Sequence, residues 1–224
     1  AERARIPFIA LGGSSSITPA SRRWVFQTSP TESQAIARML ADMVKRGVKR
    51  IGLIVEDGDF GQSGRHEVRD LTHPQGLGVR KYGIRLGFDV AYQPSASSVG
   101  AQLATLPGTP DLNALLVFGT AEGAALVMQE LRRLGTKHPV YQSHGAAGYE
   151  FLKLAGDAAE GVRLPGPPLL ATDSLPGNDP RKAALTEFVA AFYARFGEPP
   201  SSYAGYAYDA LQLAIDAIKR VTTS

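Results

Sequence analysis

The sequence predicts an α/β protein of two lobes, one a complete doubly wound parallel sheet and the other incomplete within the chain. Three observations carry this. Between Ser29 and Gln142, amphipathic helical stretches alternate with short apolar runs of strand character. Composition then breaks at Leu164-Pro165-Gly166-Pro167-Pro168, where the prolines exclude both helix interior and central strand. Beyond the break come two long helices with no strand between them, whose apolar faces need a partner that the first segment, Ile6–Leu11, offers only in part.

Ser29-Pro30-Thr31-Glu32 reads as an N-cap, a proline in the first helical turn and a capping-box glutamate. Ile36, Met39, Leu40, Met43 and Val44 follow on one helical face, and Gly47 ends the helix. Ile51-Gly52-Leu53-Ile54-Val55 is a continuous apolar run, as expected of a strand covered on both faces. The pattern repeats: a helix from near Gly61, a strand at Val90–Tyr92, a helix over Val99–Leu106, and a strand at Leu115–Phe118. A helix over Ala124–Leu134 ending at Gly135 and a strand at Val140–Gln142 complete it. In the last part, Asp179-Pro180 opens a helix with Leu185, Phe188, Val189, Phe192 and Phe196 on one face and Gly197 at its end. The second helix spans about Tyr203–Arg220.

The 224 residues include 44% hydrophobic and 20% charged residues, ordinary for a globular protein. No apolar run approaches the roughly 18 residues that cross a bilayer. The net charge is +3, with 24 Lys and Arg spread among 21 Asp and Glu, and the short basic pairs sit at helix ends rather than forming a nucleic-acid footprint. With no cysteine, disulfides, thiol nucleophiles and Cys-ligated zinc are excluded, and an oxidising compartment is compatible. Phosphate-binding Gly-x-x-x-x-Gly-Lys, Gly-x-Ser-x-Gly and His-Glu-x-x-His motifs are absent, and Gly58, Gly61 and Gly64 have the wrong spacing for a dinucleotide loop.

In open parallel sheets, ligands bind beyond the carboxyl ends of the strands. Loops at that position are Gly12–Ser16, Glu56–Gly61, Gly119–Glu122 and Gln142–Gly148. Gly12, Gly13 and Ser14 offer exposed amides and a hydroxyl for a carboxylate, or form a mere turn. Asp57 and Asp59 read as turn chemistry in preference to a metal site. Phe60 is a ligand wall or a core plug, and His144, at a strand end between Ser143 and Gly145, is a ligand contact or a satisfied hydrogen bonder.

Residues 22–35 (RRWVFQTSPTESQA), 48–64 (VKRIGLIVEDGDFGQSG), 128–145 (MQELRRLGTKHPVYQSHG), 154–180 (LAGDAAEGVRLPGPPLLATDSLPGNDP) and 188–218 resemble, in order, the leucine/isoleucine/valine-binding type of periplasmic receptor. These are type I solute-binding proteins of ABC importers. The resemblance implies two Rossmann-like lobes closing by a hinge, with the first lobe incomplete here. Residues 1–28 would form part of the first lobe, 29–163 the second lobe, 164–168 a hinge crossing, and 169–224 helices returning to the first lobe. It also implies an extracytoplasmic receptor that is not an enzyme, carries no cofactor or metal, and delivers a small carboxylate to an ABC permease. The implied ligand contacts are Gly12, Gly13, Ser14, Phe60, Thr120, Ala121 and His144. The family's acceptor of an α-ammonium falls on His144, which favours an aromatic or hydrophobic acid over a branched-chain amino acid. Alternatives are a ligand-sensing domain of the same fold and, less favoured, a hydrolase using Ser14 and His144, neither of which has an evident activating carboxylate.

Overall fold

The computed structural model describes residues 1–75, 81–109 and 111–222. The chain divides into two compact units, one of Glu32–Pro165 and one of Ala1–Thr31 with the segment from Gly166 onward. The latter unit opens with β1 (Phe8–Ala10) and β2 (Val25–Gln27), paired in parallel with Phe8 opposite Val25.

The Glu32–Pro165 unit begins with α1 (Glu32–Lys45), which starts later than the capping reading of Ser29 predicts. The Ser29 hydroxyl, three residues before the helix, donates to the Gly12 carbonyl. Ile36, Met39, Leu40 and Met43 are buried as their spacing predicts, while Val44 at the edge of that face stays exposed. The left-handed Gly47 ends the helix, as its backbone freedom permits. Next come β3 (Arg50–Glu56), α2 (Asp59–Thr72) and β4 (Arg85–Tyr92), the strand starting well before the expected Val90. The helix expected over Val99–Leu106 is reduced to α3 (Gly100–Leu103) and a 3-10 turn at Leu106–Gly108, consistent with Pro107 lacking a backbone donor. β5 (Ala114–Phe118), α4 (Ala121–Arg133) and β6 (Val140–Gln142) follow. A short α5 (Tyr149–Ala155) was not anticipated from the pattern.

The four strands form one parallel sheet in the order β4-β3-β5-β6. The chain therefore steps from β3 to one side and then returns to its other side, which puts the switch point between β3 and β5. Both faces are covered. Ile51, Leu53, Val55, Leu116 and Phe118 pack in one core with α1 and α2; Ile54, Leu115 and Val117 pack in a second with α4 and α5. Complete burial of each such side chain contributes about 1.5–3 kcal/mol. Gly64 on α2 rests directly on the Phe118 ring, where any Cβ would overlap it, so Gly64 is a packing glycine.

In the other unit, α6 (Lys182–Phe196) and α7 (Ser202–Thr222) lie close to their expected bounds. Asp179 holds the start of α6 by accepting from the backbone and guanidinium of Arg181, and Gly197 closes it in the left-handed conformation. Phe188 stacks on Tyr208 of α7 at 4.8 Å between ring centroids. Leu185, Phe188, Val189 and Phe192 are half-buried, and Phe196 is exposed. The Thr28 hydroxyl donates to the Tyr206 carbonyl (3.0 Å), tying the end of the β2 segment to α7.

Candidate functional site

The loops after β3, β5 and β6 converge at the carboxyl end of the Glu32–Pro165 sheet. Phe60, near the start of α2, packs its ring on Phe118 at 4.9 Å and meets the edge of His144 at 5.2 Å; Phe118 and His144 are 6.2 Å apart. Two of the expected site residues, Phe60 and His144, thus belong to one aromatic cluster, with Phe118 as a member the sequence reading did not single out. Close backbone contacts hold it together. A Cβ on Gly145 would come within 2.6 Å of both the Gly119 carbonyl and the Phe60 ring, so no larger residue fits there without displacement. Ser143, fully buried, donates to the Gly119 carbonyl (2.9 Å) and accepts from the Gly119 N–H (3.3 Å), which locks the β5 and β6 loops to each other.

His144 lies in a 3-10 turn, His144–Ala146. Burial pushes its pKa down from 6.5 to about 4, so the ring is neutral at pH 7 and carries one N–H donor and one acceptor nitrogen. Both nitrogens are shielded from solvent, and neither has a hydrogen-bond partner among the described residues. Leaving such groups unpaired costs about 1–3 kcal/mol each. Among the described residues no carboxylate is hydrogen-bonded to the ring to orient it as a base.

Thr120 and Ala121 do not join the aromatic cluster in the same way. Ala121 is the first residue of α4 rather than part of a free loop, and Thr120 is its N-cap without a side-chain capping bond. The Thr120 hydroxyl (2.8 Å) and backbone N–H (3.2 Å) both donate to Oε2 of Glu56, the last residue of β3. Glu56 is buried. Tyr92 pairs with Glu56 across β3 and β4, and its hydroxyl sits over Gly119 and Gly123, where a Cβ would approach it to 2.5 Å. That hydroxyl makes no hydrogen bond of acceptable geometry; burial first, then the Glu56 carboxylate, push its pKa well above 10. The legible signals for this group were a carboxylate ending an otherwise apolar strand and glycines at 119 and 123, four apart.

Asp57 accepts from the side-chain amides of Gln62 and Gln93, each at 2.7 Å, a turn network. Among the described residues no cluster of three or more His, Cys, Asp or Glu is arranged to hold a metal ion, and no helix is long and apolar enough to cross a membrane. Gly12, Gly13 and Ser14 belong to the other unit and follow β1. Ser14 shares a 2.9 Å hydrogen bond with Ser16 and accepts from its N–H at 3.3 Å, while its carbonyl accepts from Ile17 at 3.1 Å, a serine turn.

A family model described as periplasmic binding protein aligns with residues 1–224. The chain belongs to the periplasmic binding protein family. Among curated relatives, the Leu/Ile/Val-binding protein homolog 8 of Brucella abortus (strain 2308) is 25% identical over 223 residues, covering 90% of this chain and 50% of that protein. An extracellular ligand-binding receptor from Rhodopseudomonas palustris HaA2 superposes with a TM-score of 0.85 at 23% identity, covering all of this chain and 61% of that one. A solute-binding protein of an ABC transporter from Rhodopseudomonas palustris BisB5, solved in complex with 3,4-dihydroxybenzoic acid, gives 0.74 at 20% identity, covering 98% of this chain and 57% of that one. The chain spans about half the length of the curated relatives it matches. The parallel sheets of the chain agree with the periplasmic binding protein fold of these neighbours.

Proposed function

We propose that the chain is the solute-capturing part of an extracytoplasmic receptor, without catalytic activity, that takes a small aromatic or hydrophobic carboxylic acid and passes it to an ABC permease. The observation that carries the reading is the His144 imidazole: neutral, partnerless and set against Phe60 and Phe118. An α-ammonium group needs a carboxylate or several acceptors to offset its desolvation, and a neutral imidazole supplies one acceptor at most. A flat acid uses the same surroundings fully. Its ring stacks on Phe60, which is half-buried and backed by the buried Phe118, and an acid or phenolic oxygen accepts the imidazole N–H once the imidazole turns from its shielded position. The periplasmic binding protein fold accommodates such a ligand in the protein solved with 3,4-dihydroxybenzoic acid. The fold also serves a leucine-binding protein of Thermotoga maritima, so the residues, not the fold, decide the class. Gly12, Gly13 and Ser14 are proposed as ligand contacts through their backbone amides.

Calorimetric titration with 3,4-dihydroxybenzoate, benzoate, cinnamate, leucine and valine tests this. Binding of one or more aromatic acids is expected. His144→Glu should then weaken it by roughly ten- to a hundredfold, the equivalent of about 1.5–3 kcal/mol for a hydrogen bond to a charged oxygen. Tight binding of leucine or valine with no response to the acids overturns the proposal.

A further inference from the structure

The three unpartnered polar side chains nearest the carboxyl end of the sheet, Tyr92, Gln142 and His144, are not equivalent. Gln142 and His144 lie on β6 and its loop, whereas Tyr92 and the partnered Glu56 lie side by side on β4 and β3, beneath the start of α4. Helix α4 is thirteen residues long and its N-cap residue, Thr120, makes no capping bond with its own side chain. A helix start leaves several N–H groups unsatisfied and carries partial positive charge. Here the missing acceptor comes from another strand. The buried Glu56 carboxylate takes both the Thr120 N–H and the Thr120 hydroxyl, and Gly119 and Gly123 leave room for it and for Tyr92, since a Cβ at either would collide with them.

We propose that Glu56 is the positioning residue of the candidate site, clamping the Gly119-Thr120-Ala121 segment to β3 from beneath through the Thr120 hydroxyl and N–H, while Thr120 itself remains exposed. The clamp has a consequence for the aromatic cluster. Gly119 is tied on one side to Ser143 by two hydrogen bonds and is next to Thr120 on the other, so Glu56 reaches the His144 loop through one rigid peptide segment. Tyr92 covers the carboxylate on the core side and reports on it, because the same carboxylate contributes to holding the Tyr92 phenol protonated. This inference rests on the proposed function only for its effect on affinity; the clamp itself is tested without ligand.

The experiment compares Glu56→Ala, Glu56→Gln and Tyr92→Phe with the unmodified chain by NMR. Glu56→Ala should speed amide exchange at Thr120 about tenfold or more and lower the Tyr92 pKa toward the ordinary tyrosine value. Glu56→Gln keeps an acceptor but loses the charge, so Thr120 should remain partly protected while the Tyr92 pKa still falls. Tyr92→Phe should leave Thr120 protection intact, and it keeps the test open should Glu56→Ala not fold. Whichever probe the unmodified chain binds, 3,4-dihydroxybenzoate or leucine, should bind roughly tenfold more weakly to Glu56→Ala, as the competent loop becomes a minor population. Unchanged Thr120 exchange in both Glu56 variants overturns the clamp. A freed loop with unchanged affinity overturns the positioning role. Failure of the unmodified chain to bind any probe bears on the proposed function alone, and the exchange and titration results still decide the clamp.

Discussion

Replacing Gln142 with methionine should raise the stability of the four-stranded domain. Gln142 is completely buried, and among the described residues neither its amide nitrogen nor its amide oxygen has a partner. The sheet register explains the predicament: Gln142 lies opposite Val117, which lies opposite Ile54, which lies opposite Val90. Gln142 therefore ends an otherwise aliphatic row that faces the core packed against α4 and α5. Each orphaned group costs about 1–3 kcal/mol in desolvation. Methionine keeps the length and flexibility of glutamine, fills irregular space and removes both groups. Part of the gain is lost to imperfect packing, so a net stabilisation of about 1–3 kcal/mol is expected. At roughly 3 °C per kcal/mol for a domain of this size, the thermal midpoint should rise by about 3–9 °C. Urea unfolding followed by circular dichroism, with the slope unchanged, measures the same quantity independently. A loss of more than about 1 kcal/mol would refute the reasoning, since it would mean the amide is satisfied in the folded protein.

His144 should titrate near pH 4 in an NMR pH series, and a value at or above 6 would contradict its burial. Because the folded pKa lies below the 6.5 of an unperturbed histidine, the unfolded chain binds more protons between about pH 6.5 and 4, and stability falls as pH drops through that window. The loss is at most about 3 kcal/mol, and His144→Gln should flatten that part of the profile in denaturation measured at pH 7 and pH 4.5. Gly64→Ala forces a Cβ into the Phe118 ring and should cost about 2–3 kcal/mol by chemical denaturation; a neutral result would mean α2 can shift outward. Ser143→Ala leaves both polar groups of the buried Gly119 peptide without their partner and should cost about 1–3 kcal/mol, which Ser143→Thr should not fully restore if the added methyl collides.

What the sequence determines by itself is the pattern that local physics writes into it. The aliphatic run Ile51–Val55 is a both-faces-buried strand, the spacing of Ile36, Met39, Leu40 and Met43 buries one face of α1, and Gly47, Gly135 and Gly197 close their helices with positive φ. Strand ends followed by small residues mark where a ligand site can lie, and Phe60 and His144 are readable from that alone. Other features depend on partners distant in the chain, and tertiary structure alone decides them. Ser29 has every local qualification for an N-cap, yet α1 begins only at Glu32 and the Ser29 hydroxyl donates to the Gly12 carbonyl, seventeen residues away. The Thr120 hydroxyl donates to the Glu56 carboxylate, 64 residues earlier, a pairing that its place in a loop does not foretell. The neutral state of His144 is likewise invisible in the sequence, because its pKa is set by burial against Phe60 and Phe118. A hydrogen-bonding group has few partners to give. Which one it takes depends on what the fold brings within about 3 Å, and spacing along the chain does not encode that distance.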